Sequence, residues 1–595
     1  MPLHRHRSTR HRGTFSPLVL ALALAACRAQ PATRPLDAAG PAIPPRRAVT
    51  FPDGWRFKAG EKAAFGERFM IASNEVLASE AGNEIIRAGG NAVDAAVAVG
   101  FALAVTFPVA GNIGGGGFMV IRMADGRSAS IDYREVAPLA ASRNMYLDAD
   151  GNPTDESIIG YKASGVPGVV AGMAEALAKY GTLPLSRVMA PAIRLARDGF
   201  VVDSSLHRSL ASSAGYIGRF DAKDVFYAGG KAHEPGTRFA QPALARTLER
   251  IAAGGARAFY EGEVADSLVA AMQRGGGIIT KEDLRRYRPL WRTPIRSSYR
   301  GYTLFTMPPA SSGGIVVTQA LNILETWDTL PAWGSASYAH VVGSAYQRAF
   351  IDRNSKLGDP AFVTVPMAFL TSKDYARTLA KTIHPDRATP TPVDGSQIAD
   401  GVHTTHYSVV DDEGNAVATT TTLNNGYGSG VYLKNVGFFM NDEMDDFAAA
   451  PGKPNMFGLV QGEANAIAPG KRMLSAMSPT IVLDPRGELL LVVGAAGGPR
   501  IITATSQVVL NVIDHRMTLA DAMRAPRIHH QALPDTLMSE AGGLTPSAED
   551  SLRRMGHGVR YIRSLANVNA VMRVRGGWEG VSEPRDGGTG GTSAR

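Results

Sequence analysis

The alternation of apolar and polar positions divides the chain into stretches of different character. From Glu75 to Val105 it is helical, with Asn74 placed to cap and Gly89-Gly90 as the one paired-glycine break. Its second half, Asn91 to Val105, is a nearly continuous Ala/Val/Phe run. A helix apolar on every side is ordinarily buried between layers, and this run is short for a membrane span. Pro108 and Gly111 end it, and Asn112-Ile-Gly-Gly-Gly-Gly-Phe118 turns into a strand from Phe118 to Arg122. The order helix then strand, with no Lys-Ser/Thr behind the glycines, excludes a phosphate loop. Residues 160–290 alternate helical stretches with polar turns, Tyr302 to Met307 reads as a strand, and Ile315 to Trp327 as a helix. Thr389 to Gly401 is a Pro- and Asp-punctuated loop without a core-forming period. It leads into Thr404–Asn424, two arms rich in β-branched residues around the turn Asp-Asp-Glu-Gly-Asn, which predicts a hairpin. Centring the turn at Glu413 pairs Val410 with Ala416 and, counting back, Thr404 with Thr422. The two hydroxyls would then meet at the start of the strand. By the period of two, Thr420, Thr422 and Asn424 share a face. No internal repeat is found.

Charge changes this picture little. Of the net +8, +7 comes from the first fifty residues, where Arg5, Arg7, Arg10, Arg12, Arg28, Arg34, Arg46 and Arg47 stand against Asp37 alone. Taking these eight from 62 basic residues and Asp37 from 54 acidic ones leaves 54 against 53, so the body carries no basic surface for nucleic acid. The one Cys excludes a disulfide framework and a multi-cysteine zinc site. It follows a basic n-region and the apolar run Leu18 to Ala26, which has the length of a signal-peptide core. Leu24-Ala25-Ala26-Cys27 resembles a bacterial lipobox. The resemblance implies a signal peptide over 1–26, a lipidated Cys27, and an anchored protein at the periplasmic face. Arg28 in second position points to the outer membrane. Residues 27–50, with Pro31, Pro35, Pro41, Pro44 and Pro45, read as a tether, and the body starts near Phe51.

A Thr-rich hairpin by itself is simply a good strand. His403-Thr404-Thr405-His406-Tyr407-Ser408-Val409-Val410-Asp411, preceded by a flexible loop, resembles the processing site of the γ-glutamyltranspeptidases (glutathione hydrolases). The likeness covers most of residues 65–580. It includes Gly89 to Ala96, Gly114 to Met119, Asp132-Tyr133-Arg134-Glu135, Met307 to Gly314, Asn441 to Phe447, Ser478-Pro479-Thr480 and Gly497-Gly498-Pro499-Arg500. It implies an α+β fold, the four-layer αββα sandwich of the N-terminal-nucleophile hydrolases, made as a precursor that cuts itself. The cut between His403 and Thr404 would give a large chain with body 51–403 and a small chain 404–595, intertwined as a heterodimer in one catalytic domain. It implies no cofactor. The new α-amine of Thr404, with a reference pKa of about 7.7–8.0, would be the base that a threonine hydroxyl needs as nucleophile.

By the same resemblance Thr422 hydrogen-bonds Thr404, and Gly497 and Gly498 supply the oxyanion hole. A γ-glutamyl substrate carries an α-carboxylate and an α-ammonium beside its scissile amide. Arg134 and Ser475 match the carboxylate contacts; Asp446, with Asn424 and Glu443, falls where the ammonium binds. Glu443 stands where bacterial members carry Gln, and Ala476 where the family often has a second Ser, so substrate preference is open. Pro451 to Gly458 resembles a lid, with Phe457 as its aromatic gate. His529-His530 is not read as a metal site, since adjacent residues on a strand point apart. The reading is an exported enzyme that forms a γ-glutamyl-Thr404 ester from glutathione or related amides and passes the acyl group to water or an amino acid. A cephalosporin-type acylase on the same fold and a non-catalytic envelope scaffold are the alternatives.

Overall fold

The computed structural model describes residues 45–391, 404–585 and 591–594. The leader 1–26, Cys27 with residues 28–44 of the tether, and His403 lie outside the described residues.

Two seven-stranded antiparallel sheets form the centre. The first runs in the order Gly591–Ala594, Met70–Ser73, Thr404–Val410, Ala416–Thr422, Gly116–Arg122, Ser128–Asp132, Leu290–Arg292. The second runs Ala64–Gly66, Gly577–Val581, Asn567–Val574, Leu489–Ala496, Thr480–Leu483, Tyr302–Thr306, Ile295–Tyr299. They stack face to face, with helices Val76–Arg87 and Ala92–Thr106 outside the first and Gly313–Leu324 and Arg500–Ile513 outside the second. This is the αββα sandwich. Each sheet contains strands from both sides of the 403/404 bond.

Strand residues serve two cores in alternation. Phe118 and Val120 join the core between the sheets, and Met119 and Ile121 the one under the helices. Both faces are therefore apolar. All of Ala92–Thr106 is buried, as its composition requires. The small residues of that helix let the sheet approach closely: a side chain at Gly100 would meet the Tyr407 hydroxyl at 2.7 Å. The helical stretch from 75 to 105 is two helices. Asn91 caps the second in a capping box with Asp94, accepting from Val93 N at 2.8 Å and Asp94 N at 3.1 Å. Asn74 does not cap the first. Glu75, one residue on, accepts from Leu77 N and Ala78 N, because its longer side chain reaches both. The Asn74 oxygen instead accepts from Thr405 Oγ1 at 3.2 Å.

The hairpin register is the expected one, Thr404 opposite Thr422 and Val410 opposite Ala416. Asp411 sets the turn by accepting from Glu413 N and Asn415 N, and docks it by accepting from Ala92 N at the helix start, at 2.8 Å. Asn424 departs from the expected face. The strand ends at Thr422, and Asn424 takes a left-handed φ of 77°.

Candidate active site

At one end of the sandwich lies a cleft whose lining includes Thr404, Thr422, Asn424, Arg134, Glu443, Asp446, Ser475, Ala476, Phe457 and Gly498. The fold thus gathers residues from five separate stretches of chain. Gly497 adjoins the cleft without lining it. A larger cavity, about 400 Å³, lies elsewhere, between Leu77, Phe107 and Leu206, and none of the expected site residues lines it.

The Thr404–Thr422 pair is a product of strand register. Thr404 Oγ1 and Thr422 Oγ1 are 3.2 Å apart and buried. Thr422 Oγ1 also accepts from Asn424 N at 2.8 Å. The left-handed turn at Asn424 brings that N–H back onto the hydroxyl, which leaves the Thr422 proton free to be donated to Thr404. His406 and Ser408, on the same face as Thr404, point at the second sheet: a side chain at Gly494 would meet the His406 ring at 2.4 Å, and Ser408 Oγ donates to Val492 O at 3.2 Å. Burial drives the His406 imidazole down to about 3, so it is neutral and no base near neutral pH.

Gly497 (φ 134°) and Gly498 (φ 58°) form the turn from strand Leu489–Ala496 into helix Arg500–Ile513. A β-carbon on Gly498 would stand 2.8 Å from the Phe457 ring. Neither amide donates a hydrogen bond among the described residues, so both remain open to a ligand oxygen. Phe457 closes over this turn. Its loop is fastened by Met456 N donating to Asp445 Oδ2 at 3.1 Å and by Gln531 Nε2 donating to Phe457 O at 3.1 Å.

In the charged part of the cleft Arg134, Glu443 and Glu135 are fully buried and Asp446 is partly exposed. Arg134 pairs with Glu443 through one terminal nitrogen and with Asp446 through the other, and its Nη1 lies 3.6 Å from Glu135. Burial alone would lower the Arg134 pKa; Glu443, Asp446 and Glu135 together reverse that and raise it. Burial pushes Glu443 up to about 7, against the pull of Arg134. Glu135 is driven far above the usual carboxylate range by burial and by Glu443, and neither of its oxygens has a hydrogen-bond partner. Asp446 is raised by burial and held back by Arg134 and Arg353. Ser475 Oγ accepts from Met477 N at 3.1 Å, which leaves its proton for a ligand. Ala476 offers the cleft a methyl only. With Arg134 locked and Phe457 down, about 20 Å³ of free space remains, room for a water molecule.

His529 and His530 are separated as expected: His529 bonds Thr503 and Gln531, while His530 faces Asp535 at 3.3 Å. Sequence reasoning missed Arg353, which lines the cleft, although Tyr346, Ala349, Phe350 and Arg353 mark one buried helical face on which a charge is conspicuous. It also gave Glu135 no role.

A family model described as gamma-glutamyltranspeptidase matches residues 78–593. The glutathione hydrolase proenzyme of Escherichia coli (strain K12) is 46% identical over 528 residues, spanning 87% of this chain and 90% of that protein. The Acylase ACY 1 proenzyme of Pseudomonas sp. (strain SE83) is 39% identical over 527 residues, spanning 87% and 91%. Among solved structures, a cephalosporin acylase from Bacillus halodurans matches with a TM-score of 0.80 at 28% identity, covering 92% of this chain and 99% of that one.

Proposed function

The chain belongs to the gamma-glutamyltranspeptidase family, and on that premise we propose that it is a self-processing enzyme whose Thr404 takes the γ-glutamyl group from glutathione and related amides. The processed protein is a two-chain enzyme acting on small molecules. The observation that carries this reading is the meeting, in one cleft, of the Thr404–Thr422 hydroxyl pair with a buried Arg134–Asp446 pair of opposite charge. A zwitterionic γ-glutamyl head would exchange with that ion pair, its α-carboxylate taking Arg134 and Ser475 and its α-ammonium taking Asp446, Glu443 and Asn424. The exchange is nearly neutral in charge, which is how a desolvated site can bind a doubly charged group.

Cleavage of the His403–Thr404 bond frees the Thr404 amine. That amine takes the hydroxyl proton as Oγ1 attacks the γ-carbonyl, and the developing oxyanion accepts from the amides of Gly497 and Gly498. The C–N bond breaks, the leaving amine collects the proton, and the acyl group remains as an ester on Thr404. Water or an acceptor amine repeats the sequence in reverse. The Thr422 hydroxyl steadies the Thr404 oxygen while its negative charge grows. Phe457, lying over the Gly497–Gly498 turn, must shift for entry; once back it excludes water and favours an amine acceptor.

The acylase alternative shares fold and nucleophile. Asp446 favours the γ-glutamyl reading, since an acyl group without an α-ammonium has no use for it. Turnover of γ-glutamyl-p-nitroanilide above that of a glutaryl-cephalosporin is expected, and the reverse order would refute the substrate assignment. Denaturing electrophoresis is expected to show two bands for the wild type, one beginning Thr-Thr-His-Tyr, and one band for Thr404→Ala.

No helix among the described residues is long and apolar enough to cross a membrane. Export through the leader 1–26 and a lipid on Cys27 at the outer membrane complete the proposal. Mass spectrometry of the purified protein, reading the first mature residue and its adduct, tests both.

A further inference from the structure

A second buried cation stands in the cleft. Arg353 is 1% exposed and lines the same space as Thr404 and Asp446. Among the described residues its hydrogen-bond partners are all neutral: Nε donates to Ser312 Oγ at 3.0 Å, and Nη1 to Asn354 Oδ1 at 3.0 Å and Gln461 Oε1 at 3.2 Å. Two of these partners lead straight to the proposed substrate contacts. Ser312 Oγ donates to Ser475 O at 2.6 Å, and Gln461 Nε2 donates to Asp446 O at 3.1 Å. A buried guanidinium without a carboxylate in contact is costly, because nothing in contact offsets its lost hydration.

The groups facing Asp446 supply the need. Around it lie Arg134, Glu443, Glu135, Arg353 and, on the same turn, Asp442 and Asp445. Burial raises Glu135 and Asp442 well above the usual carboxylate range and so favours their neutral forms. Arg134 alone is then in contact with two carboxylates, Glu443 and Asp446. We infer that Arg353 is a positioning residue that supplies the second positive charge, keeping both carboxylates ionised so that Asp446 can hold the substrate's α-ammonium while Arg134 turns to its carboxylate. Arg134 and Arg353 then offset Glu443 and Asp446 below the pH of about 7 at which Asp445 also ionises, and a zwitterionic substrate leaves that balance unchanged. The burial of Arg353 lowers its pKa only to about 10, so the charge is present at neutral pH. Without it one of the two carboxylates must take up a proton, and the ammonium loses its anchor. This inference rests on the γ-glutamyl reading of the site given above.

The test uses the processed full-length enzyme carrying Arg353→Gln or Arg353→Lys, with kcat and KM measured across pH 5 to 9 on γ-glutamyl-p-nitroanilide and on glutaryl-p-nitroanilide, which keeps the carboxylate and lacks the amine. Arg353→Gln is expected to raise KM for the γ-glutamyl substrate about tenfold with little change in kcat. The acid limb of kcat/KM should move up by about one pH unit, the same free energy read twice. The glutaryl substrate should change by less than about twofold. Arg353→Lys should restore the limb; should the Gln variant fail to process, a displaced limb in the Lys variant overturns the inference. An unmoved limb, or an equal loss on both substrates, marks Arg353 as merely structural and also overturns it. Asp446→Asn separates the two readings. If it fails to erase the preference for the amine-bearing substrate, the site assignment is wrong; if it erases the preference and Arg353→Gln does not shift the limb, only the role of Arg353 is wrong.

Discussion

Asp445 is the carboxylate that fastens the Phe457 loop, and replacing it by Asn should stabilise the protein at alkaline pH while sparing the fastening. The side chain is buried and receives two hydrogen bonds, from Ser157 Oγ at 2.9 Å and Met456 N at 3.1 Å. Asn can keep both contacts, its oxygen accepting from Met456 N and its amide donating to the Ser157 hydroxyl, which can turn to accept. Burial pushes the Asp445 carboxyl up from 3.8 to about 7, with the two hydrogen bonds opposing. The folded state therefore holds the Asp445 proton more tightly than the unfolded state does. Below pH ~4 both states are protonated and folding carries no charge cost. Between there and pH ~7 the unfolded carboxyl ionises first, and folding is disfavoured by ~1.4 kcal/mol per pH unit. Above pH ~7 the cost is constant at roughly 4 kcal/mol, of which less than half is already present at pH 5. The assay is urea unfolding followed by intrinsic fluorescence at pH 5 and pH 8.5. Asp445→Asn should match or slightly exceed the wild type at pH 5 and exceed it by a further ~2–3 kcal/mol at pH 8.5. A deficit of the same size at both pH values would refute the reasoning, since it would make the ionised carboxylate the form that holds the loop.

Thr422→Val keeps the volume and removes the hydroxyl between Thr404 and Asn424 N. A bond to a developing charge is worth ~1.5–3 kcal/mol, so kcat on γ-glutamyl-p-nitroanilide should fall roughly 10- to 100-fold; a full-rate variant would exclude Thr422 from the chemistry. Gly498→Ala puts a methyl 2.8 Å from the Phe457 ring at a left-handed φ, with a backbone cost of ~1–2 kcal/mol. Lowered kcat/KM and a displaced Phe457 are expected, and double substitution with Phe457→Ala should recover part of the loss if the clash is the cause. With His406 held neutral by burial, the rising limb of kcat against pH should belong to the Thr404 amine, near pH ~8. His406→Gln should leave that apparent pKa in place, which a stopped-assay pH series reads directly.

Local features of this fold were legible from the chain, and those made across long separations were not. The hairpin register followed from turn length and β-branched arms alone, and Thr404 indeed faces Thr422. The all-round apolar run from Asn91 to Val105 announced a helix between layers, because no solvent-facing stripe interrupts it. The caps were harder. Asn74 and Glu75 are adjacent, and the choice between them depends on which side chain reaches the first-turn amides and which is already engaged by Thr405. The meeting of Arg134 with Asp446 joins residues more than three hundred positions apart, and no local period encodes it; only family resemblance placed them together. Arg353 was readable in principle as a charge at i+7 on an apolar face, but its purpose depends on counting carboxylates that two other segments deliver.

With the 403/404 bond cut as proposed, the sandwich also explains how the protein would keep its site. In the first sheet, Thr404–Val410 lies between Met70–Ser73 and Ala416–Thr422, the former from before the 403/404 bond and the latter from after it. Both faces of the strand are buried, Tyr407 under the helix layer and His406 and Ser408 against the second sheet. Cutting at its first residue removes one covalent constraint and leaves every described ladder bond of the strand in place. The Thr404 backbone stays laddered to Thr422 on one side, and its new amine would emerge where the hydroxyl already faces Thr422. Seven-stranded sheets shared by both chains make dissociation equivalent to unfolding, so the two fragments should co-elute at native pH and part only at the denaturant concentration that abolishes the fluorescence of the fold. Separation of the fragments by dilution alone would contradict the shared-sheet account.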